Sequence, residues 1–366
     1  GDGGAEAALY RMVISNTDEE STVISLSNKS KYGKLLEEKG VTVHALELSF
    51  NLYIFFKLYK LYKLLRRIQP DVIQTWMYHA DLVGGVIGRL SGIKNIIWGV
   101  YCTNFVLGET KILTILVIFI NSILSRFIPK KIIFCAEEGL RVHKKYGFSR
   151  KKLIYIPNGL PHETFTIDTQ LNTSLRKENN IKDSDIILGI VGRYSPMKDH
   201  LNFIKALGLM LKMKINFTAI FIGENLDIQN HTLVSQIKRY GLEEKVRLLG
   251  PRQDIPQLMN LMDLNILSSS FGEGQPTVLC ESMLSGTPCI STDIGDSAVI
   301  VGDYGWIVPP SDPQKLSDQI LKALETMKDE VKWNERVLGG REHIITKFTI
   351  EAMHESYLKV WKEKYQ

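Results

Sequence analysis

Short apolar runs alternate with longer segments of helical period along most of the chain. That is the pattern of an α/β protein with parallel strands covered on both faces. Strands are expected at Thr22 to Leu26, Val41 to Ala45, Pro70 to Trp76, Asn95 to Val100, Lys131 to Ala136 and Leu153 to Ile156. Helical periods at Ala5 to Ser15, Gly33 to Lys39, Leu82 to Leu90 and Glu138 to Tyr146 separate them. The alternation then stops: Thr164 to Asn180 is rich in Thr, Asp, Asn and Gln and has no apolar period. It restarts with Ile186 to Val191, a fully apolar strand, followed by strands at Phe217 to Ile222, Val246 to Leu249, Asp263 to Leu267 and Cys289 to Thr292. Thr277 to Ser285, Gln314 to Met327 and Thr349 to Tyr365 read as helices. The break divides the chain into an N-terminal Rossmann-like domain, 1–160, a second one, 161–346, and a terminal helix within 347–366. A length of 366 residues suits two domains. Gly3 and Gly4 open the first helix, and a glycine bend in that position ordinarily follows a strand; the first strand of the N-terminal sheet is therefore expected to be missing from this chain.

Two segments stand apart. From Phe50 to Ile68, lysines recur every three residues among aromatics and leucines. Such a helix suits a membrane interface, with its cations at the headgroups, and equally a sheet-packing helix with a solvated basic face. Ile112 to Leu124 is very apolar, but a bilayer span needs about 20 residues, so it reads as a core helix.

Composition changes the picture little. Hydrophobic residues make up 44% and charged residues 23%, as in a globular protein with a substantial core. A net charge of +5 favours anionic ligands such as nucleotide diphosphates or headgroups; with no nucleic-acid motif, it does not argue for nucleic acid. Cys102, Cys135, Cys280 and Cys289 form no C-x-x-C pair, so free thiols in a reducing, cytoplasmic compartment are expected.

The candidate chemistry lies where strands run into glycine-rich bends. Ser268 to Gly286 carries Gly272 and Gly274, then Pro276 at the expected first helical position, then Thr277 and Val278. The bend presents a helix N-terminus, whose amides and dipole suit a phosphate. Glu273 and Glu281 bracket it, and carboxylates beside an anion seat suit the hydroxyls of a sugar or ribose. A second strand-to-helix loop, Gly192 to His200, carries Arg193 and Lys198, a fork and a point charge for phosphate oxygens. His79 follows a strand at its carboxyl end, where open α/β sheets place ligands, and Asp81 is suited to capping the next helix or orienting that histidine. Asp183-Ser184-Asp185 has a D-x-D spacing but precedes a strand, so it reads as turn chemistry and not as a metal site.

Glu273, seven intervening residues and Glu281 resemble the E-x7-E motif of the retaining glycosyltransferases of family 4, and Gly-Arg-x4-Lys-x-His from Gly192 resembles their diphosphate clamp. The resemblance implies the GT-B fold, two Rossmann-like domains facing a cleft, with the terminal helix crossing back to the first domain and Trp361 docking there. It implies transfer of a sugar, with retention, from a nucleotide-sugar donor, in the first instance a UDP-sugar, without metal or cofactor. The acceptor would be a saccharide or lipid-linked saccharide in polysaccharide or lipopolysaccharide assembly, on the inner face of the membrane, with a possible contact through 50–68. Glu273 would then bind donor-sugar hydroxyls and Glu281 the ribose. Arg193 and Lys198, with Gly192, Gly274, Gln275, Pro276, Thr277 and Val278, would hold the diphosphate. His79 would reach the sugar from the other domain, Gly3 and Gly4 would face the cleft, and Tyr101 to Asn104 would line the acceptor side. Arg252 would sit on the loop that meets the base. Gln275 and Thr277 depart from the residues usual around the proline, which leaves the donor sugar open. A nucleotide-sugar epimerase of the same fold and a non-catalytic subunit of a glycan-assembly complex also stay open; no pyridoxal lysine motif supports a phosphorylase.

Overall fold

The computed structural model describes residues 4–15, 19–48, 53–101, 111–168 and 172–363. The chain forms two compact units: Gly1–Gly159 together with Ile350–Gln366, and Leu160–Thr349.

In the first unit, β1 (Thr22–Ser25) and β2 (Thr42–Ala45) form a parallel pair. β3 (Ile73–Gln74), β4 (Ile96–Val100), β5 (Lys131–Phe134) and β6 (Leu153–Tyr155) form a separate parallel sheet in that order. A cavity of about 1650 Å³ is lined by β1 and β3 together with Met12, Leu36, Leu61 and Trp361. β4 is buried along its whole length, so its unbroken apolar run has helices on both faces. On one face the Tyr78–Leu90 helix sits close because glycines meet the sheet: a β-carbon at Gly85 would lie 2.8 Å from the Trp98 indole nitrogen. On the other face, Met12, Ile97, Ile133 and Ile156 pack with Met353 and Tyr357 of the Ile350–Lys362 helix. Asn95 Nδ2 donates to the Trp361 carbonyl at 3.0 Å, and the Trp361 indole donates to Gln74 Oε1 at 3.3 Å.

The Ile112–Leu124 helix corrects the expectation of a core helix. Val117, Ile118, Asn121 and Ser122 face inward, and Asn121 Nδ2 donates to the Tyr78 carbonyl at 2.8 Å. Ile112, Leu116 and Phe119 point out, 85%, 52% and 62% exposed. The Ile54–Ile68 helix likewise buries Leu61 and Leu65 and exposes Phe55, Phe56 and Tyr59 beside Lys60, Lys63, Arg66 and Arg67. Among the described residues, no helix is long and apolar enough to cross a membrane.

The second unit holds one six-stranded parallel sheet: β7 (Ile186–Val191), β8 (Phe217–Ile222), β9 (Val246–Gly250), β10 (Leu264–Leu267), β11 (Cys289–Thr292) and β12 (Trp306–Val308). Its order is β12-β11-β10-β7-β8-β9. The chain winds outward one way from β7 through β8 and β9, and the other way from β10 through β11 and β12. The carboxyl ends of β7 and β10 therefore flank a topological switch point, where doubly wound sheets open a crevice for ligands. The stretch expected to be an unpatterned linker contains the Asn172–Glu178 helix, anchored by buried Leu175 and by Arg176, whose guanidinium donates to the carbonyls of Lys182 and Asp185 at 2.8 and 3.0 Å. One apolar anchor in a short polar helix gives no legible period.

Candidate functional site

The two loops that leave the switch point are tied to each other. β7 ends at Val191, and Gly192 follows with φ 153°, its bare backbone 3.4 Å from the Lys198 side chain at the place a β-carbon would occupy. The loop carries exposed Arg193, makes one tight turn over Pro196–Lys198 and enters the His200–Lys212 helix, which Asp199 caps by accepting from the Asn202 amide. From β10, the chain runs through Ser268 and Ser269, both fully buried. Ser268 Oγ donates to the Lys198 carbonyl at 2.8 Å, and the Ser270 amide donates to the Met197 carbonyl at 2.9 Å. A sequence separation of about seventy residues is thus closed by backbone-directed hydrogen bonds.

The two loops meet in an ion pair. Lys198 Nζ donates to Glu273 Oε1 at 2.6 Å, with the two side chains 15% and 9% exposed. Ser269 Oγ donates to the same oxygen at 2.6 Å. A third strand braces the loop: Thr292 Oγ1 at the end of β11 donates to the Ser269 carbonyl at 2.6 Å, and the Asp296 amide donates to the Gly274 carbonyl at 2.8 Å. Gly295, at φ 58°, permits this approach, since a β-carbon there would lie 2.5 Å from the carbonyl oxygens of both Glu273 and Gly274.

Beyond Gly274 and Gln275, the helix covers Thr277–Leu284. Pro276 is not its first residue, as expected, but the extended cap before it, with φ −72° and ψ 91°; its carbonyl accepts from Leu279. The first-turn amides of Thr277 and Val278 follow the Glu273 loop directly, which puts the positive end of the helix beside the ion pair. Glu281 lies half-buried on this helix, one turn past its start.

Arg252, on the loop after β9, is engaged by carboxylates of its own unit. Its guanidinium forks onto Asp254 at 2.8 and 2.6 Å and reaches Glu178 at 3.4 Å. The hydrogen bond to Asp254 holds the Arg252 pKa above its ordinary value, against partial burial, and holds Asp254 below its own. A fork already engaged by two carboxylates ties the loop after β9 to the 172–178 helix.

In the first unit, His79 is the second residue of the Tyr78–Leu90 helix, exposed at the carboxyl edge of β3, and follows Met77 in a strained φ of 75°. Asp81 does not orient it. Asp81 is fully buried and accepts from Thr75 Oγ1 at 2.5 Å; burial pushes its carboxyl well above the usual carboxylate range, against the bonds from Thr75 and Gly99. Tyr101 turns to the terminal helix, its hydroxyl 2.6 Å from that of Tyr357. Gly4 begins the Gly4–Ser15 helix, while Gly3, Cys102, Thr103 and Asn104 lie outside the described residues. Asp185 is buried and accepts from Thr218 Oγ1 at 2.7 Å, a turn-stabilising role. Cys135, Cys280 and Cys289 are buried free thiols.

Sequence reasoning missed Ser268, Ser269 and Thr292. The available signal was a pair of hydroxyls ending an apolar strand, four residues before a carboxylate in an otherwise buried loop.

Residues 172–337 match the family described as glycosyl transferases group 1, and residues 3–164 match Glycosyltransferase Family 4. The chain is 24% identical over 297 residues to UDP-Gal:alpha-D-GlcNAc-diphosphoundecaprenol alpha-1,3-galactosyltransferase of Escherichia coli, covering 80% of this chain and 75% of the relative. Anabaena Alr3699/HepE, solved in complex with UDP, superposes with a TM-score of 0.83 at 21% identity, over 98% of this chain and 96% of that one. The apo form of the lipopolysaccharide outer core galactosyltransferase WaaB gives a TM-score of 0.74 at 15% identity, again over 98% and 96%. At such identities these likenesses speak for the fold.

Proposed function

Because the chain belongs to the group 1 glycosyltransferases of family 4 and has their GT-B fold of two Rossmann-like domains, we propose that it transfers a sugar, with retention, from a UDP-sugar to an acceptor hydroxyl, a lipid-linked saccharide of surface-polysaccharide or lipopolysaccharide assembly. The observation that carries this reading is the Lys198–Glu273 pair at the switch point, beside the N-terminus of the Thr277–Leu284 helix. That arrangement offers one anion seat and one carboxylate for hydroxyls, side by side.

The bond from the anomeric carbon to the diphosphate oxygen breaks with its electron pair leaving on that oxygen. The amides from Gly274 to Val278, with Gln275 and Pro276 shaping the bend, hold the diphosphate, and Arg193 and Lys198 neutralise it across the bare backbone of Gly192. With those charges in place the chemistry requires no metal and no cofactor. The acceptor oxygen attacks on the face the diphosphate leaves, and its proton passes to the departing phosphate oxygen, so no side-chain nucleophile is needed. Glu273 binds donor-sugar hydroxyls, Glu281 holds the ribose, and the loop at Arg252 meets the base. From the N-terminal domain, His79 hydrogen-bonds the sugar, and Gly3 and Gly4 contribute to donor binding. The basic helix within 50–68, with its exposed aromatics, is the membrane contact, and it places the enzyme at the cytoplasmic face. Its cations contribute about 1 kcal/mol each near an anionic surface.

The test is incubation of the purified protein with acceptor-bearing membranes and a panel of radiolabelled UDP-sugars. One label is expected to enter the lipid fraction with wild type, and none with Glu273→Ala. Epimerised free sugar nucleotide formed without acceptor would replace this reading with an epimerase.

A further inference from the structure

Ser268 and Ser269 are fully buried, and a buried hydroxyl without a partner is costly. Each has one, on opposite sides of the chain, as alternation along an extended segment dictates. Ser268 grips the Lys198 and Asp199 carbonyls, at 2.8 and 3.1 Å, and Ser269 grips the Glu273 carboxylate at 2.6 Å. Ser269 cannot drift, because Thr292 Oγ1 holds its carbonyl at 2.6 Å. Lys198 lands on the same carboxylate oxygen, Oε1. Under the proposed function Lys198 therefore answers to two anions, Glu273 and the departing diphosphate. A second negative group draws the ammonium away from the first. A neutral hydroxyl fixed by the backbone is not drawn.

We infer that Ser269 is a positioning residue whose hydroxyl keeps the Glu273 carboxylate aimed at the donor sugar while Lys198 turns to the diphosphate. The inference rests on the reading of Glu273 as a sugar ligand. Thr292 belongs to the same device, acting on Ser269 through its carbonyl. Ser268 acts on the lysine side of the pair and serves as the comparison.

The experiment compares, by calorimetry, binding of UDP alone with binding of UDP-glucose, UDP-galactose and UDP-N-acetylglucosamine. The sugar nucleotide that wild type binds more tightly than UDP is then followed in the variants. Ser269→Ala is expected to weaken that sugar nucleotide about tenfold, as suits loss of a hydrogen bond to a charged group, while UDP affinity stays within about twofold. In a Glu273→Gln background, Ser269→Ala should add nothing further. Ser269→Cys, which keeps the volume and weakens the donor, should show the same split to a lesser degree and reports it where the alanine variant fails to fold. Equal weakening of UDP and UDP-sugar would overturn the inference in favour of a loop-building role, as would no change in either. An undiminished effect in the Glu273→Gln background would also overturn it. Should Glu273→Gln itself leave the advantage of UDP-sugar over UDP intact, the sugar-ligand reading of Glu273 fails, and this inference falls with it.

Discussion

Replacing Lys198 by Met keeps most of the side-chain volume and deletes the cation. Glu273, 9% exposed, then loses the Lys198 ammonium while Ser269 still donates to Oε1. Removing one partner of a buried pair costs about 3–5 kcal/mol. Because Ser269 stays in place, the lower end applies, about 3 kcal/mol. For a domain the size of Leu160–Thr349, about 2–4 °C per kcal/mol predicts a fall in Tm of roughly 6–12 °C. Glu273→Gln in the same protein replaces the carboxylate by a neutral amide, so the double variant should regain much of the loss and stand above Lys198→Met alone. Thermal unfolding by circular dichroism on all four proteins supplies the cycle. Activity should fall in parallel but without recovery: losing one stabiliser of developing charge costs about 10²–10³ in kcat, and the double variant gains none of it back. A Lys198→Met protein melting within about 2 °C of wild type would refute the reasoning, since the pair would then be solvated and exert no hold on the loop. A double variant less stable than Lys198→Met would refute it equally.

Gly295→Ala should weaken binding of UDP-sugar and lower stability by about 1–3 kcal/mol, because its β-carbon meets the Glu273 and Gly274 carbonyls at 2.5 Å; fluorescence titration and thermal unfolding check both. His143 and His200 are held down to a pKa of about 4, chiefly by burial, so both fold neutral. The unfolded chain binds protons at these histidines from pH 6.5 downward and the folded chain does not until pH approaches 4, so stability falls across that window. His200→Asn should flatten the fall by one proton, readable as a shallower slope of unfolding free energy against pH. The opposite sign holds for Asp81, whose raised carboxyl pKa stabilises the fold below pH 3.8 and loses that contribution as pH rises through its folded value; Asp81→Asn should remove this loss when the two proteins are unfolded by urea at matched pH. Phe55→Glu with Phe56→Glu, on the exposed face of the 54–68 helix, should abolish flotation with anionic vesicles and leave transfer to a detergent-soluble acceptor unchanged.

The parts of this account legible in the sequence are those built from neighbours in the chain. Alternating periods announced the parallel strands of both units, though not that β1 and β2 pair apart from β3 to β6, and Gly272 to Val278 showed a helix opening from a bend. Contacts set by topology were not legible. Ser269 and Thr292 act on Glu273 only because β10, β11 and the loop after β7 converge at the switch point, which no local spacing records. The contact of Arg252 with Glu178 was not legible, because Glu178 lies on a helix with a single buried apolar residue, hidden in what reads as a linker. Asp81 reads from its position as a cap of the next helix or an orienter of His79, but its carboxylate turns inward to Thr75 instead. Apolarity around the whole of Ile112 to Leu124 suggested burial, yet periodicity cannot say whether a second surface covers the outer side. Pro276 was misplaced by one residue, because whether a proline caps or begins a helix depends on its ψ, which the sequence does not give.

In the proposed reaction, backbone amides at Gly274 to Val278, with Arg193 and Lys198, hold the leaving diphosphate without a metal ion. Calorimetric titration of UDP into the protein in excess EDTA tests it directly, with wild type beside an Arg193→Met, Lys198→Met double variant. Chelator should leave wild-type affinity unchanged, and the double variant should bind at least about a hundredfold more weakly, two charge-assisted contacts being lost. Loss of wild-type binding in EDTA, or undiminished binding by the double variant, would contradict it.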